Sequence, residues 1–146
     1  MMQINKQWRL SMSFDLNELC LKLNQYETTE GNRFTAEVID ELIEISCSNA
    51  EDFPIRLSVT NQQIIALSHL FSEDDIIAEE LLSLNDTLLR LSPVIPLSSF
   101  GKDGKLYFIF GAMPLGTTFE NLVHELEVQA ENTVEALEIL QELMVA

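Results

Sequence analysis

The chain has 146 residues, of which 47% are hydrophobic, enough for one domain with a buried core and too many for wholesale disorder. Twenty-four acidic side chains face eight basic ones, a formal net charge of −16; this argues against a nucleic-acid binder, which needs a basic face, and against anionic membrane surfaces. The imbalance favours solubility and basic partners.

Residues 1–12 read as a loose extension ahead of a single domain at 13–146. The start, "MMQINKQWRLS", lacks the apolar core of a secretion signal, and no run approaches the ~18 apolar residues of a membrane span. In "SFDLNELCLKLNQY", Leu16, Leu19, Cys20 and Leu23 recur at helical spacing, and Ser13 or Asp15 can cap the first turn. "FTAEVI" (34–39) is compatible with a strand or an irregular segment. "ELIEISCS" and "IRLSV" alternate apolar and polar residues as half-buried strands do. "QIIALSHLF" is apolar on both faces, which predicts a central or covered strand. "SEDDIIAEELLSLNDTLLRLSP" restores helical spacing through Ile77, Leu81, Leu84 and Leu88, with Ser72 capping an acidic first turn and Pro93 ending the helix.

"SSFGKDGKLYFIFG" (98–111) offers serines, three glycines and two lysines, yet it is no phosphate loop. Gly101 and Gly104 are too close for that motif, Leu106 follows Lys105, and a strand follows instead of a helix. Asp103-Gly104 is a hairpin signal. Ser98 and Ser99 have no recognisable triad partner, since His69 and His124 belong to no motif. Cys20 and Cys47, with these histidines, lack metal-ligand spacing, and both cysteines are expected as free thiols in a reducing cytoplasm. No catalytic residue, cofactor or metal is expected.

A long terminal helix follows, with Phe119, Val123, Leu126, Ala130, Val134, Leu137 and Leu140 along one side. No lysine or arginine occurs from Tyr107 onward, while glutamates recur at 120, 125, 127, 131, 135, 138 and 142. The expected architecture is α+β, with an antiparallel sheet of about five strands and packed helices in the order α-β-β-β-α-β-β-α.

The segments "PVIPLSSFGKDGKLYFIFGAMP", "DDIIAEELLSLNDTLLRLS" and "FENLVHELE" resemble the bacterial YjfI-like family, over residues 13 to about 143. The most distinctive pieces are "PLSSFG" and "FGAM". The element order is similar to type III secretion chaperones and YbjN-like proteins, which implies a small, acidic, often dimeric fold that binds protein segments without catalysis. The family resemblance also implies a neighbourhood link to phage-shock-type membrane-stress proteins.

The expectation is a non-enzymatic, chaperone-like or adaptor protein that binds a basic or amphipathic-helical protein partner, with no nucleic acid or membrane insertion and with homodimerisation open. The candidate contact residues are Glu120, Glu127, Glu131, Glu135, Glu138, Lys102 and Lys105. The alternatives are a ligand-binding protein or enzyme with a pocket near His69, His124 or Ser99, and a structural subunit of a larger assembly. Reversing Glu127, Glu131 and Glu138 to lysine is expected to spare folding and weaken partner capture, as measured by pull-down.

Overall fold

A computed structural model describes residues 15–145; the N-terminal extension and the Ser13 cap lie outside the described residues. Helix α1 spans Leu16–Gln25, and its cap is Asp15, whose carboxylate accepts from the N–H groups of Asn17 and Glu18. Its buried face is Leu19 and Leu23, one turn apart. Strands β1 (Phe34–Ile39), β2 (Leu42–Cys47), β3 (Ile55–Val59) and β4 (Gln63–Ser72) follow as a meander. After α2 (Leu81–Leu91), strands β5 (Ser99–Asp103) and β6 (Leu106–Pro114) form a hairpin, and α3 spans Phe119–Leu140. The sheet is antiparallel with strand order β1-β2-β3-β4-β6-β5.

The α+β architecture is therefore as expected, with a sixth strand. "FTAEVI" is β1, and its turn into β2 contains no glycine; Asp40 instead adopts the left-handed φ of 56°. The hairpin turn is also confirmed but falls one residue later than read. Asp103 pairs with Leu106, so the central residues are Gly104, at φ 59°, and Lys105.

The single helix expected from Ser72 onward is broken. Ser72 and Asp75 form a capping box around a short 3₁₀ turn, Glu73–Asp75. The chain then extends at Ile76 before a second turn, Ala78–Glu80, leads into α2. The cause is tertiary. Ile76 bridges Met144, Ile77 N–H donates to the Leu143 carbonyl, and Val145 N–H donates to the Asp75 carbonyl. The C-terminal segment thus takes backbone groups that a helix would have used, burying Ile76 and leaving Ile77 exposed.

All three helices pack on one face of the sheet. The core there divides into two clusters, one around Leu23, Ile45, Leu57 and Leu126, the other around Leu84, Tyr107, Ile109 and Leu140. A polar seam lies between them. Gln129 Nε2 donates to Ser68 Oγ (3.4 Å), and Asn132 Nδ2 donates to the Pro96 carbonyl (2.8 Å) and Ser98 Oγ (3.1 Å). Ser98 is a buried partner of α3, not an exposed nucleophile. Gly111 faces the same seam, where a Cβ would meet the Leu97 carbonyl at 3.0 Å and Gln129 Oε1 at 3.3 Å.

Both sheet edges are partly closed. At β1, Asn24 of α1 acts as a surrogate strand, accepting from Ala36 N–H (2.8 Å) and donating to the Ala36 carbonyl (2.9 Å). At β5, Phe100 N–H donates to Ser92 Oγ (3.2 Å). Asn24→Ala is expected to lower stability by about 1–2 kcal/mol in urea unfolding, because the Ala36 N–H loses its partner and the Ala36 carbonyl keeps only the weak Cys20 Sγ contact.

Candidate functional site: the uncovered sheet face

Because successive side chains in a strand point to opposite faces, the register fixes what the second face displays. One row crosses all six strands as Glu37, Glu44, Arg56, Leu67, Phe110 and Ser99. The row on one side is Ile39, Leu42, Ser58, Ile65 and Ala112. On the other side, His69, Phe108 and Gly101 lie abreast. No helix among the described residues packs on this face; the residues of α1, α2 and α3 that join the core all meet the opposite one.

The face is divided by chemistry. Across β4 and β6, Ile65, Leu67, Phe108 and Phe110 form a half-buried apolar patch. The rings of Phe108 and Phe110 stand 5.7 Å apart, and the Phe108 ring lies over Gly101, where a Cβ would collide with it. This accounts for a glycine in "SSFG": the edge strand lacks a side chain so that an aromatic ring can lie flat across it. Toward β1 and β2 the face turns acidic. Glu37 and Glu44 are cross-strand neighbours with like charge, and one cation, Arg56, stands 3.9 Å from Glu44.

The residues expected to bind a partner lie elsewhere. Glu120, Glu131, Glu135 and Glu138 are exposed on α3, in the helix layer on the far side of the sheet. Lys102 on β5 and Lys105 in the hairpin turn are already paired with Glu73 and Asp74 of the 3₁₀ turn. Glu73 hydrogen-bonds the Lys102 ammonium and holds its pKa above the usual lysine range. Every lysine and arginine among the described residues has a carboxylate within 4 Å, while most carboxylates have no cation among those residues.

Glu127 differs from the other glutamates of α3. It is half-buried, and it accepts from the Thr28 hydroxyl (2.6 Å) and Asn32 Nδ2 (2.7 Å), tying α3 to the loop after α1. The expectation that its reversal would spare folding is therefore corrected. Burial pushes the nearby Cys47 thiol above its ordinary range, and the Glu127 charge adds to the rise against hydrogen bonds from the Asn49 and Ser48 backbone. Cys47 and Cys20 are both free, and Cys20 Sγ contacts the Ala36 carbonyl at 3.1 Å.

His69 is exposed on the uncovered sheet face, and His124 is exposed on α3 in the helix layer. The structure does not bring them together. Ser99 lies on β5 with β6 between it and β4. Among the described residues no group of three or more His, Cys, Asp or Glu side chains is placed to hold a metal ion. No helix among the described residues is long and apolar enough to cross a membrane.

The apolar patch itself had a sequence signal. "QIIALSHLF" and "LYFIF" are apolar on both strand faces, and one explanation for that pattern is cover on both sides. The described residues supply cover on one.

Over the described residues, the fold and this face define a small α+β protein with helices on one side of an antiparallel sheet. The chain belongs to a family of uncharacterised proteins conserved in bacteria (DUF2170), which matches residues 13–144. No curated protein matches the chain.

Glu127→Ala is expected to cost about 2 kcal/mol in urea unfolding, since the charged acceptor of Thr28 and Asn32 is lost. The double reversal of Glu131 and Glu138 to lysine is expected to shift stability by no more than about 0.5 kcal/mol.

Proposed function

We propose that this protein is a non-catalytic, chaperone-like adaptor whose uncovered sheet face receives an amphipathic helix of a protein partner. The observation that carries the reading is the patch of Ile65, Leu67, Phe108 and Phe110, free of charged side chains and without a helix among the described residues to cover it. An apolar sheet surface normally takes a second layer. A helix laid there places its apolar stripe on the patch. Basic residues on its flank reach Glu37 and Glu44, whose negative charge Arg56 only partly offsets.

The resemblance to the YjfI-like family and to secretion-chaperone folds agrees with a binding role, and its link to phage-shock-type stress proteins suggests a helical, membrane-associated partner. The acidic face of α3 is a second surface for basic partners, on the opposite side of the domain. The two surfaces separate by their response to salt, because apolar docking persists at ionic strengths that screen exposed charges.

The test is a pull-down from the native cell at low and high salt, with three baits: the unaltered protein, the Leu67→Glu/Phe110→Glu variant, and the Glu131→Lys/Glu138→Lys variant. Folding of each is checked by circular dichroism. The sheet variant is expected to lose the partner while the α3 variant retains it at high salt. Capture that survives the sheet variant and fails with the α3 variant assigns docking to the glutamates instead.

A further inference from the structure

A second apolar surface lies on α2, and its chemistry is different. From Leu81 to Gly101 the sequence carries two charged residues, Asp86 and Arg90, and these pair with each other at 2.8 Å. The segment is therefore neutral in a chain of net charge −16. It also holds the most exposed large hydrophobic side chains among the described residues: Leu82 at 85%, Leu89 at 76% and Val94 at 75%. Leu84 and Leu88 of the same helix are buried, so α2 carries leucines on its inner and outer sides, the outer ones beside the Asp86–Arg90 pair. An exposed helix is normally polar on its outer side. Beside it, a groove of about 260 Å³ between α2 and β5 is lined by Leu88, Leu89, Phe100 and Tyr107.

We infer that α2 is the interface of a two-fold homodimer, with the helix packed antiparallel against its copy. Three features select a second copy as the occupant. First, two bodies of charge −16 repel, and they meet at least cost along the stretch from Leu81 to Gly101, where acid and base balance. Second, Leu82 and Leu89 are two helical turns apart on one face, so an antiparallel copy sets Leu82 of each protomer against Leu89 of the other. Third, that register brings Arg90 alongside the acidic turn preceding the other helix, Glu79 and Glu80. With Glu79 and Glu80 just before the helix, Arg90 in its last turn, and Leu82 and Leu89 between them beside the Asp86 that Arg90 neutralises, the element is complementary to itself in the antiparallel sense, as a two-fold interface requires. The groove beside Leu89 receives an apolar side chain from the opposite copy.

The inference is independent of the adaptor reading, since the sheet face and α2 share none of these residues. It also makes an unusual statement about salt. Contacts between an acidic protein and a basic partner weaken as salt rises, whereas this dimer tightens, because screening removes the repulsion between the two acidic bodies.

The experiment is sedimentation equilibrium on the full chain over a range of concentrations, at low and high salt. The expected result is a species of twice the 16.6 kDa chain mass, with a smaller dissociation constant at high salt. Leu82→Lys/Leu89→Lys is expected to raise that constant at least about tenfold with an unchanged circular dichroism spectrum. Arg90→Glu alone is expected to weaken the dimer, and combining it with Glu79→Lys and Glu80→Lys to restore it. A chain that stays monomeric up to its solubility limit overturns the inference, as does a dimer unaffected by the leucine variant. A dimer dissolved by Leu67→Glu/Phe110→Glu but not by the leucine variant places the interface on the sheet and overturns it equally.

Discussion

The arrangement of the helix layer depends on the polar seam between α3 and the sheet. Gln129 and Asn132 are amide side chains in an otherwise apolar core, and a buried amide without partners costs about 1–3 kcal/mol. Their partners, Ser68 on β4 and Pro96 and Ser98 ahead of β5, lie on two different elements. Sliding α3 along the sheet would preserve much of its apolar contact but break these bonds together. Hydrophobic burial holds α3 down, and the seam decides where along its length it sits. The same bonds fix the loop that follows α2, with Leu97 in the left-handed region at φ 63°. They also leave room at Gly111 for backbone and amide to approach closely. Thus "PLSSFG" and "FGAM", the most distinctive pieces of the family resemblance, are the receiving side of a packing joint.

The surface is organised by charge. With each described cation already paired, the remaining carboxylates have no partner cation among the described residues and spread over much of the surface. Two regions stand outside it, the aromatic centre of the open sheet face and the outer side of α2. Acidity in this protein works as a mask: nonspecific association is resisted wherever charge is present, and the uncharged regions are what remains available. Glu125 feels the opposite side of the same economy. Partial burial raises its pKa, with His124 opposing, so its ionisation costs some stability as the pH rises through that raised value.

Local patterns carried most of the fold. Alternation in β2 and β3, helical spacing in α1 and α3, and Gly104 at the hairpin each specify an element from neighbouring residues. What escaped was set by distant parts of the chain. β1 turns into β2 through Asp40, where a glycine would have been the usual signal. The break at Ile76 is made by residues 143–145, far away in sequence. Glu127 looks like its neighbours on α3 until Thr28 and Asn32 arrive beside it. The open face was visible only as strands apolar on both sides, a pattern that states a need for cover without saying who provides it.

The strand order has a consequence for how the chain comes into being. Each neighbouring pair in the sheet is consecutive in sequence except β4 and β6, whose pairing begins between Ser72 and Leu106 with α2 and β5 in the intervening chain. Closing that segment costs more entropy than any hairpin in the meander. During synthesis, the first four strands and α1 therefore emerge and pair while β4 still has an open edge rich in isoleucine and leucine. A nascent chain at that stage carries the template for mispairing with its neighbours on the same message. The β5–β6 hairpin ends this exposure, because β6 takes the open edge of β4 and its two-residue turn sets β5 beside it.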